Sequence, residues 1–278
     1  MFFEHKAFWL PKDIEHPDEY QDAFAVDEVR GIAAIADGVS SSLFAASWAR
    51  LLVNAATQQP PQVENAAVLE QWLSLQRENW REPIDVEVLA WHQKEKFKEG
   101  AFSTLMWLEL GSTTDTDSIP LTCYSLGDCC FFHVRCGQVQ RGFPFERSTQ
   151  FGTQPKMVGS VNRGNVNLDF DVLQDTWRAG DILVLCTDAL AVWILTRLEA
   201  GEPPGLELFW EMSQREWTEW VLTQRAEGKI RYDDTTLMML KPSNESMTQR
   251  AIQSTADAVG DVKKGLSNLF RREKSSEK

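Results

Sequence analysis

The stretch Gly31-Ile32-Ala33-Ala34-Ile35-Ala36-Asp37-Gly38-Val39-Ser40-Ser41-Ser42 constrains this chain more than any other. Its apolar run is long enough for a buried strand and too short for a helix. Asp-Gly then signals a tight turn. After the turn, Leu43, Phe44, Ser47, Trp48 and Leu51 share one helical face, with a serine available as N-cap. One carboxylate, Asp37, therefore stands at the end of a buried strand. Gly38 beside it lets a ligand approach the backbone carbonyl. Hard cations such as Mg²⁺ or Mn²⁺ take carboxylate, carbonyl and water oxygens. The same residues also read as a strand, a turn and a helix start, with Asp37 only a turn residue.

The segment before it supplies a partner. Asp22 precedes the alternating run Ala23–Val26, and Asp27–Arg30 turn the chain back into Ile32–Ala36. This predicts a β-hairpin with Asp22 at the start of one arm and Asp37 at the end of the other. Two carboxylates meeting there cost energy unless a cation, a proton or solvent attends them.

Helical spacing follows at Ser42–Asn54, Val63–Trp80 and Ile84–Lys98, with Trp72, Trp80 and Trp91 expected in the packing. The period then changes to two. Phe102–Leu110, Leu121–Leu126 and Cys129–Arg135 predict a meander of antiparallel strands, with Gly127-Asp128 as a tight turn. Residues 142–166 read as a long irregular loop, and a strand is expected near Val166–Leu173. Ile182–Cys186 repeats the first design: an apolar strand, then Thr187-Asp188-Ala189, then a helix. Leu206–Ala226 reads as helical, and Asp233-Asp234 precede a last strand at Leu237–Leu240.

Asp22, Asp37, Asp128, Asp188 and Asp233 thus all stand where an apolar strand meets a turn. Carboxylates gathered at the ends of several strands can hold a pair of hard cations, which can activate water and clamp a phosphoryl group. No His or Cys set has zinc spacing, and neither a G-x-S-x-G elbow nor a P-loop is present.

In order, the motifs Tyr20-Gln21-Asp22-Ala23-Phe24, Ile35-Ala36-Asp37-Gly38, Phe102-Ser103-Thr104, Gly127-Asp128-Cys129, Thr187-Asp188-Ala189 and Asp233-Asp234-Thr235-Thr236 resemble the metal-dependent serine/threonine protein phosphatases of type 2C. The Ala-Asp-Gly-Val-Ser-Ser-Ser form and the Gln150-Phe151-Gly152-x-x-Pro155 loop resemble the bacterial branch. The resemblance covers roughly Phe8 to Leu240. It implies an α+β fold, a four-layer α-β-β-α sandwich of two packed antiparallel sheets flanked by helices. It implies two tightly bound Mn²⁺ or Mg²⁺ ions, with Asp37 bridging both and the Gly38 carbonyl on one. Asp188 and Asp233 would complete the first metal, and Asp22 would support the other through water. Asp128 with Asp188 would make a looser third site. A metal-bridging hydroxide would attack phosphorus directly. The implied substrate is a phosphorylated protein, the target of a Ser/Thr kinase or such a kinase itself.

The sequence departs from the family pattern at several points. Pro17 stands where a phosphate-binding Arg is usual, and Gln21, Ala189 and Val192 replace the usual Glu, Gly and Asp. Lys12, or else His16, is the expected phosphate cation, because a phosphoryl dianion needs one. These departures leave two readings besides the protein phosphatase: a catalytically degenerate module that binds a phosphorylated partner, and a hydrolase of small phosphate esters.

The chain of 278 residues carries a net charge of −13, which argues against nucleic acid as a partner. No apolar run approaches the ~20 residues of a membrane span, and no signal peptide is read at Met1–Lys6. Five cysteines with no C-x-x-C fit reduced thiols and a cytoplasmic location. Composition shifts after residue 243. The expected division is a phosphatase-like domain at 1–243 and a linker with a short amphipathic tail at 244–278. Val259, Val262, Leu266, Leu269 and Phe270 form the tail's stripe, which could pack on the body, dock a partner or touch an anionic surface.

Overall fold

The computed structural model describes residues 2–111, 118–152, 155–162 and 168–243. By contacts, Glu4–Pro242 forms one unit and Met1–Phe3 with Ser243–Lys278 another. The expected tail at 244–278 lies outside the described residues.

The strands are β1 (Phe2–Leu10), β2 (Ala23–Asp27), β3 (Ile32–Ala36), β4 (Phe102–Ser103), β5 (Leu105–Leu110), β6 (Ile119–Leu126), β7 (Cys130–Arg135), β8 (Gln138–Phe143), β9 (Val158–Gly159), β10 (Asp171–Trp177), β11 (Ile182–Cys186) and β12 (Thr235–Ser243). The helices are α1 (Ala45–Gln58), α2 (Ala66–Arg81), α3 (Trp91–Glu99), α4 (Asp188–Glu199), α5 (Leu206–Phe209) and α6 (Gln214–Ala226). One sheet has the order β1-β12-β11-β7-β8 and the second β10-β6-β5-β3-β2, while β4 and β9 pair separately. The register-defined pairings within both large sheets are antiparallel.

Side-chain alternation shows how the layers stack. In the first sheet Phe132, Val184, Cys186 and Met239 pack with Leu190 and Ile194 of α4 and Trp217 of α6. The alternate residues Phe131, Leu183, Leu185 and Met238 are just as buried on the opposite face. In the second sheet Ala34, Ala36 and Trp107 pack with Trp48 and Leu52 of α1, while Ala33, Ile35 and Met106 are buried on the other side. Strands buried on both faces belong to the inner layers of an α-β-β-α sandwich, as the motifs imply. Burying each such Leu or Ile contributes roughly 1.5–3 kcal/mol. Polar residues are therefore confined mostly to strand ends, and the site is built from strand ends.

Local differences from the sequence reading have identifiable causes. The residue before α1 is Phe44, in the left-handed region at φ 60° with no side-chain cap, and not a serine. Its ring meets Phe97 edge-on, which offsets the ~1–2 kcal/mol cost of that conformation. The helix expected over Ile84–Lys98 is a 3₁₀ turn at Val86–Val88 and then α3, because the Asp85 carboxylate accepts the Glu87 amide and turns the chain. Leu206–Ala226 divides into α5 and α6, the latter capped by Ser213. The strand expected near Val166–Leu173 lies at Asp171–Trp177, and residues 163–167 are not described. Trp91 is 80% exposed, whereas Trp80 is buried and stacks on Phe97. β1 was not anticipated. Cys136 and Gly137, both at positive φ, make a two-residue hairpin between β7 and β8.

Candidate metal centre

Strand register brings the aspartates to one end of the sandwich. Ala23 pairs with Ala36, so Asp22 and Asp37 flank the same end of the β2–β3 hairpin. Cys186 pairs with Cys130 on one side and Leu237 on the other. That sets Asp188, Asp128 and the Asp233-Asp234 pair at the matching end of the first sheet. Asp37, Asp128 and Asp188 converge most tightly, with one carboxylate oxygen from each lying within 4.8 Å of the others. Two unit charges at that distance repel by about 3–4 kcal/mol at an effective dielectric near 20.

The backbone around Asp37 is held on both sides. Its N–H donates to Thr104 Oγ1 at 2.8 Å, and its carbonyl accepts from the Thr104 N–H and Ser103 Oγ, each at 2.9 Å. Ser103-Thr104 is therefore the clamp that aims Asp37. Gly38 has no room for a side chain: a Cβ there would lie 2.6 Å from the Gln21 carbonyl oxygen. Gly127, at φ 115°, is equally constrained, since its Cβ would lie 2.5 Å from Thr104 Cγ2. Asp128 follows it and is buried.

Asp22 lies behind the triad. Its Oδ2 accepts from Thr236 Oγ1 at 2.6 Å and Thr187 Oγ1 at 3.0 Å, and the Tyr20 hydroxyl bonds Thr236 Oγ1 in turn. Asp234 ties down the N-terminal segment by accepting the Lys12 and Gln21 amides, each at 2.7 Å. Asp233 is more exposed than Asp234, and its Oδ1 accepts the Asp234 amide.

Burial dominates the electrostatics here. It pushes the Asp37 carboxyl up to about 8, helped by the charges of Asp128, Asp233 and Asp234 and opposed by Arg231. Burial raises Asp128 as well, and it raises Asp22 well above the carboxylate range, with Asp37 and Asp234 adding to the effect. Added positive charge beside these groups would favour their charged forms.

Solved structures share this architecture. The Mycobacterium tuberculosis serine/threonine phosphatase PstP/Ppp superposes with a TM-score of 0.54 at 14% identity, over 88% of this chain and 100% of its own. The catalytic domain of PstP in complex with two manganese ions gives 0.51 at 16%, over 86% and 98%. Stp1 from Staphylococcus aureus gives 0.52 at 14%, over 88% and 96%. The fold is that of the type-2C phosphatases. No protein-family model matches the sequence, and no curated protein does. At these identities the likeness is one of fold.

Whether the carboxylate end of this sandwich suits hard cations is answered by its own atoms. Asp188 Oδ1 and Asp22 Oδ1 are buried with no hydrogen-bond partner, a costly condition that an added cation would relieve. The triad offers only carboxylate oxygens, the donors that hard cations take. The residues fit Mg²⁺ or Mn²⁺.

The structure brings Asp37, Asp128 and Asp188 together and sets Asp22 and Asp233 at their margins. Lys12 Nζ donates to Ser40 Oγ at 3.2 Å, in the turn that follows Asp37-Gly38, and its charge acts on Asp234. His16 precedes the 3₁₀ turn Pro17–Glu19 and is exposed. A cation that pairs directly with the cluster's aspartates is Arg231, which sequence reasoning missed. Its Nη2 pairs with Asp188 Oδ2 and its Nε lies 3.6 Å from Asp233 Oδ2. The available signal was a lone Arg two residues before the Asp-Asp pair.

Proposed function

We propose that this chain is a Mn²⁺- or Mg²⁺-dependent phosphatase that hydrolyses phosphoserine and phosphothreonine in proteins. The observation that carries the reading is the convergence of Asp37, Asp128 and Asp188, drawn from both sheets, to within 4.8 Å. Asp37, Asp188, Asp233 and the Gly38 carbonyl would hold two cations, with Asp22 in support and Asp128 with Asp188 offering a looser third place. Bound there, the cations would acidify a water molecule and neutralise phosphoryl charge. The chain's own contribution is placement: Ser103 and Thr104 fix Asp37, and Thr187, Thr236 and Tyr20 fix Asp22. In the reaction the water oxygen bonds phosphorus as the seryl or threonyl P–O bond breaks, giving free hydroxyl and inorganic phosphate. Substrates would be proteins modified by a Ser/Thr kinase, or such a kinase itself. The catalytic unit would be 1–243, with 244–278 as an appended tail.

Incubation of the full chain with a phosphothreonine peptide and with p-nitrophenyl phosphate, with Mn²⁺ and with chelator, tests this. Metal-stimulated phosphate release is expected. Its absence from both substrates overturns the reading. Two bound Mn²⁺ ions without turnover would support the degenerate binding module instead. That alternative draws on the Arg231–Asp188 contact, which occupies one oxygen of a ligand.

A further inference from the structure

We propose that Arg231 is the phosphoryl-binding cation of this site and that it shares Asp188 with the metal. The inference rests on the phosphatase reading and deepens it.

A phosphoryl dianion brought to a carboxylate cluster needs a donor for its outward oxygens. The basic groups near this end of the sandwich divide sharply. Lys12 Nζ is directed to Ser40 Oγ, and Lys96 Nζ lies 3.5 Å from the Ser41 carbonyl. Arg225 is spent on structure, donating to the carbonyls of Pro11, Lys12 and Asp233 and to Thr235 Oγ1. Among the described residues Arg231 is the basic side chain that pairs with the cluster's own aspartates.

Its geometry suits a transferable contact. The side chain is 44% exposed, while Asp188 beside it is 9% exposed. The guanidinium therefore has one edge on the cluster and another open to an incoming ligand. A guanidinium carries five N–H donors in a planar fork that matches two phosphoryl oxygens. Only Nη2 and Nε face Asp188 and Asp233, which leaves donors for phosphate. The backbone beneath is held, since the Asp233 N–H donates to the Arg231 carbonyl at 3.0 Å. The side chain can therefore swing without moving the chain.

The second half follows from the shared oxygen. Asp188 Oδ2 is engaged by Arg231 while Asp188 Oδ1 has no partner. A divalent cation on Asp188 draws on the same carboxylate and repels the guanidinium. Arg231 and metal therefore compete at Asp188, and a displaced guanidinium stays beside Asp233 at the edge of the cluster.

The test uses the full chain as wild type, Arg231→Ala and Arg231→Lys, with Lys98→Ala on the α3 surface as a charge control. Mn²⁺ affinity is read by calorimetry, and KM for p-nitrophenyl phosphate and inhibition by inorganic phosphate by kinetics. Arg231→Ala is expected to bind Mn²⁺ roughly tenfold more tightly. It should raise KM roughly tenfold and weaken phosphate inhibition by a similar factor, the scale of one charge-assisted contact. Arg231→Lys should fall between the two, and Lys98→Ala should match wild type. If Arg231→Ala fails to fold, Arg231→Lys carries the test, since loss of the planar fork alone should raise KM. Weaker Mn²⁺ binding at an unchanged melting temperature would make Arg231 a scaffold and overturn the proposal. Unchanged KM and unchanged phosphate inhibition overturn it even if Mn²⁺ binds more tightly. In both cases a wild type that turns over with Mn²⁺ leaves the phosphatase reading standing. A wild type that binds no Mn²⁺ overturns both.

Discussion

Two buried carboxylate assemblies stand at opposite ends of the same sandwich. At one end Asp37, Asp128 and Asp188 face each other with Arg231 as their paired cation, and Asp188 Oδ1 and Asp22 Oδ1 are unpartnered. At the other end Asp181 accepts from Arg135 Nε and Nη2, each at 2.7 Å, and from the Arg178 amide at 2.8 Å. His133 lies between Asp181 and Asp175, with its ring nitrogens 2.9 and 3.0 Å from their carboxylates. Burial would raise the Asp181 pKa, but the hydrogen bonds from Arg135 and His133 outweigh it and hold the group below the ordinary carboxylate range. Burial thus wins at one end and built-in partners at the other. A carboxylate with its partners built in is a structural clasp between sheets. A set without enough partners holds negative charge in reserve for a ligand, at a standing cost in stability.

The comparison can be broken at either end. The largest effect is expected from Asp37→Asn, which should lower metal-stimulated phosphate release by about a hundredfold or more. The same change should raise the melting temperature in chelator, because folding then no longer has to take up a proton on a buried carboxylate. A lowered melting temperature there would make Asp37 a clasp like Asp181. Next in size, Asp181→Asn should cost about 1.5–3 kcal/mol, since it weakens the hydrogen bonds that Arg135, His133 and the Arg178 amide make to a buried group. For a chain of this size that is a melting-temperature drop of roughly 5–10 °C in calorimetry. Turnover per folded molecule should be unchanged. Asp128→Asn should lose only about tenfold in activity at saturating Mn²⁺, because its proposed role is in the looser site. A loss equal to that of Asp37→Asn would contradict the ranking.

The smallest effect is in the pH dependence of stability, and there the two ends have opposite signs. The Asp37 carboxyl moves from 3.8 to about 8 on folding, so the folded chain holds a proton that the unfolded chain releases. Its stabilising contribution is complete below about 4 and is lost as pH rises through about 8. Asp181 is lowered, so its contribution is present above the ordinary carboxylate range and is lost as pH falls through the folded value. Urea unfolding in chelator should show both limbs. Asp37→Asn should flatten the decline between about pH 4 and 8 and Asp181→Asn the acid limb, and Mn²⁺ should abolish the first loss alone.

Much of this was legible in the residues themselves. Period-two alternation and the Asp27–Arg30 turn were enough to place Asp22 and Asp37 together, because a hairpin is a local structure whose register its turn sets. Apolar runs ending in Asp-Gly or Thr-Asp located Asp37 and Asp188, because strands buried on both faces tolerate carboxylates only at their ends. The helix boundaries were less legible. The start of α1 depends on Phe44 meeting Phe97, a contact across more than fifty residues, and the break before α3 depends on one Asp85 cap.

Sequence alone determined which strand ends carry carboxylates and the antiparallel character of the sheets, since both follow from local period and turn chemistry. Tertiary structure alone decided which of those carboxylates meet, and with what. Asp37, Asp128 and Asp188 converge through the pairing of β11 with β7 and β12 and the stacking of two sheets. Arg231 reaches Asp188, 43 residues away in sequence, because β12 lies beside β11. Lys12 lies upstream of Asp22, yet its ammonium is directed to Ser40. The reason is physical: local pattern fixes the direction of a side chain relative to its own strand, but the partner of a charge depends on three-dimensional distance and burial, which only the packed fold sets.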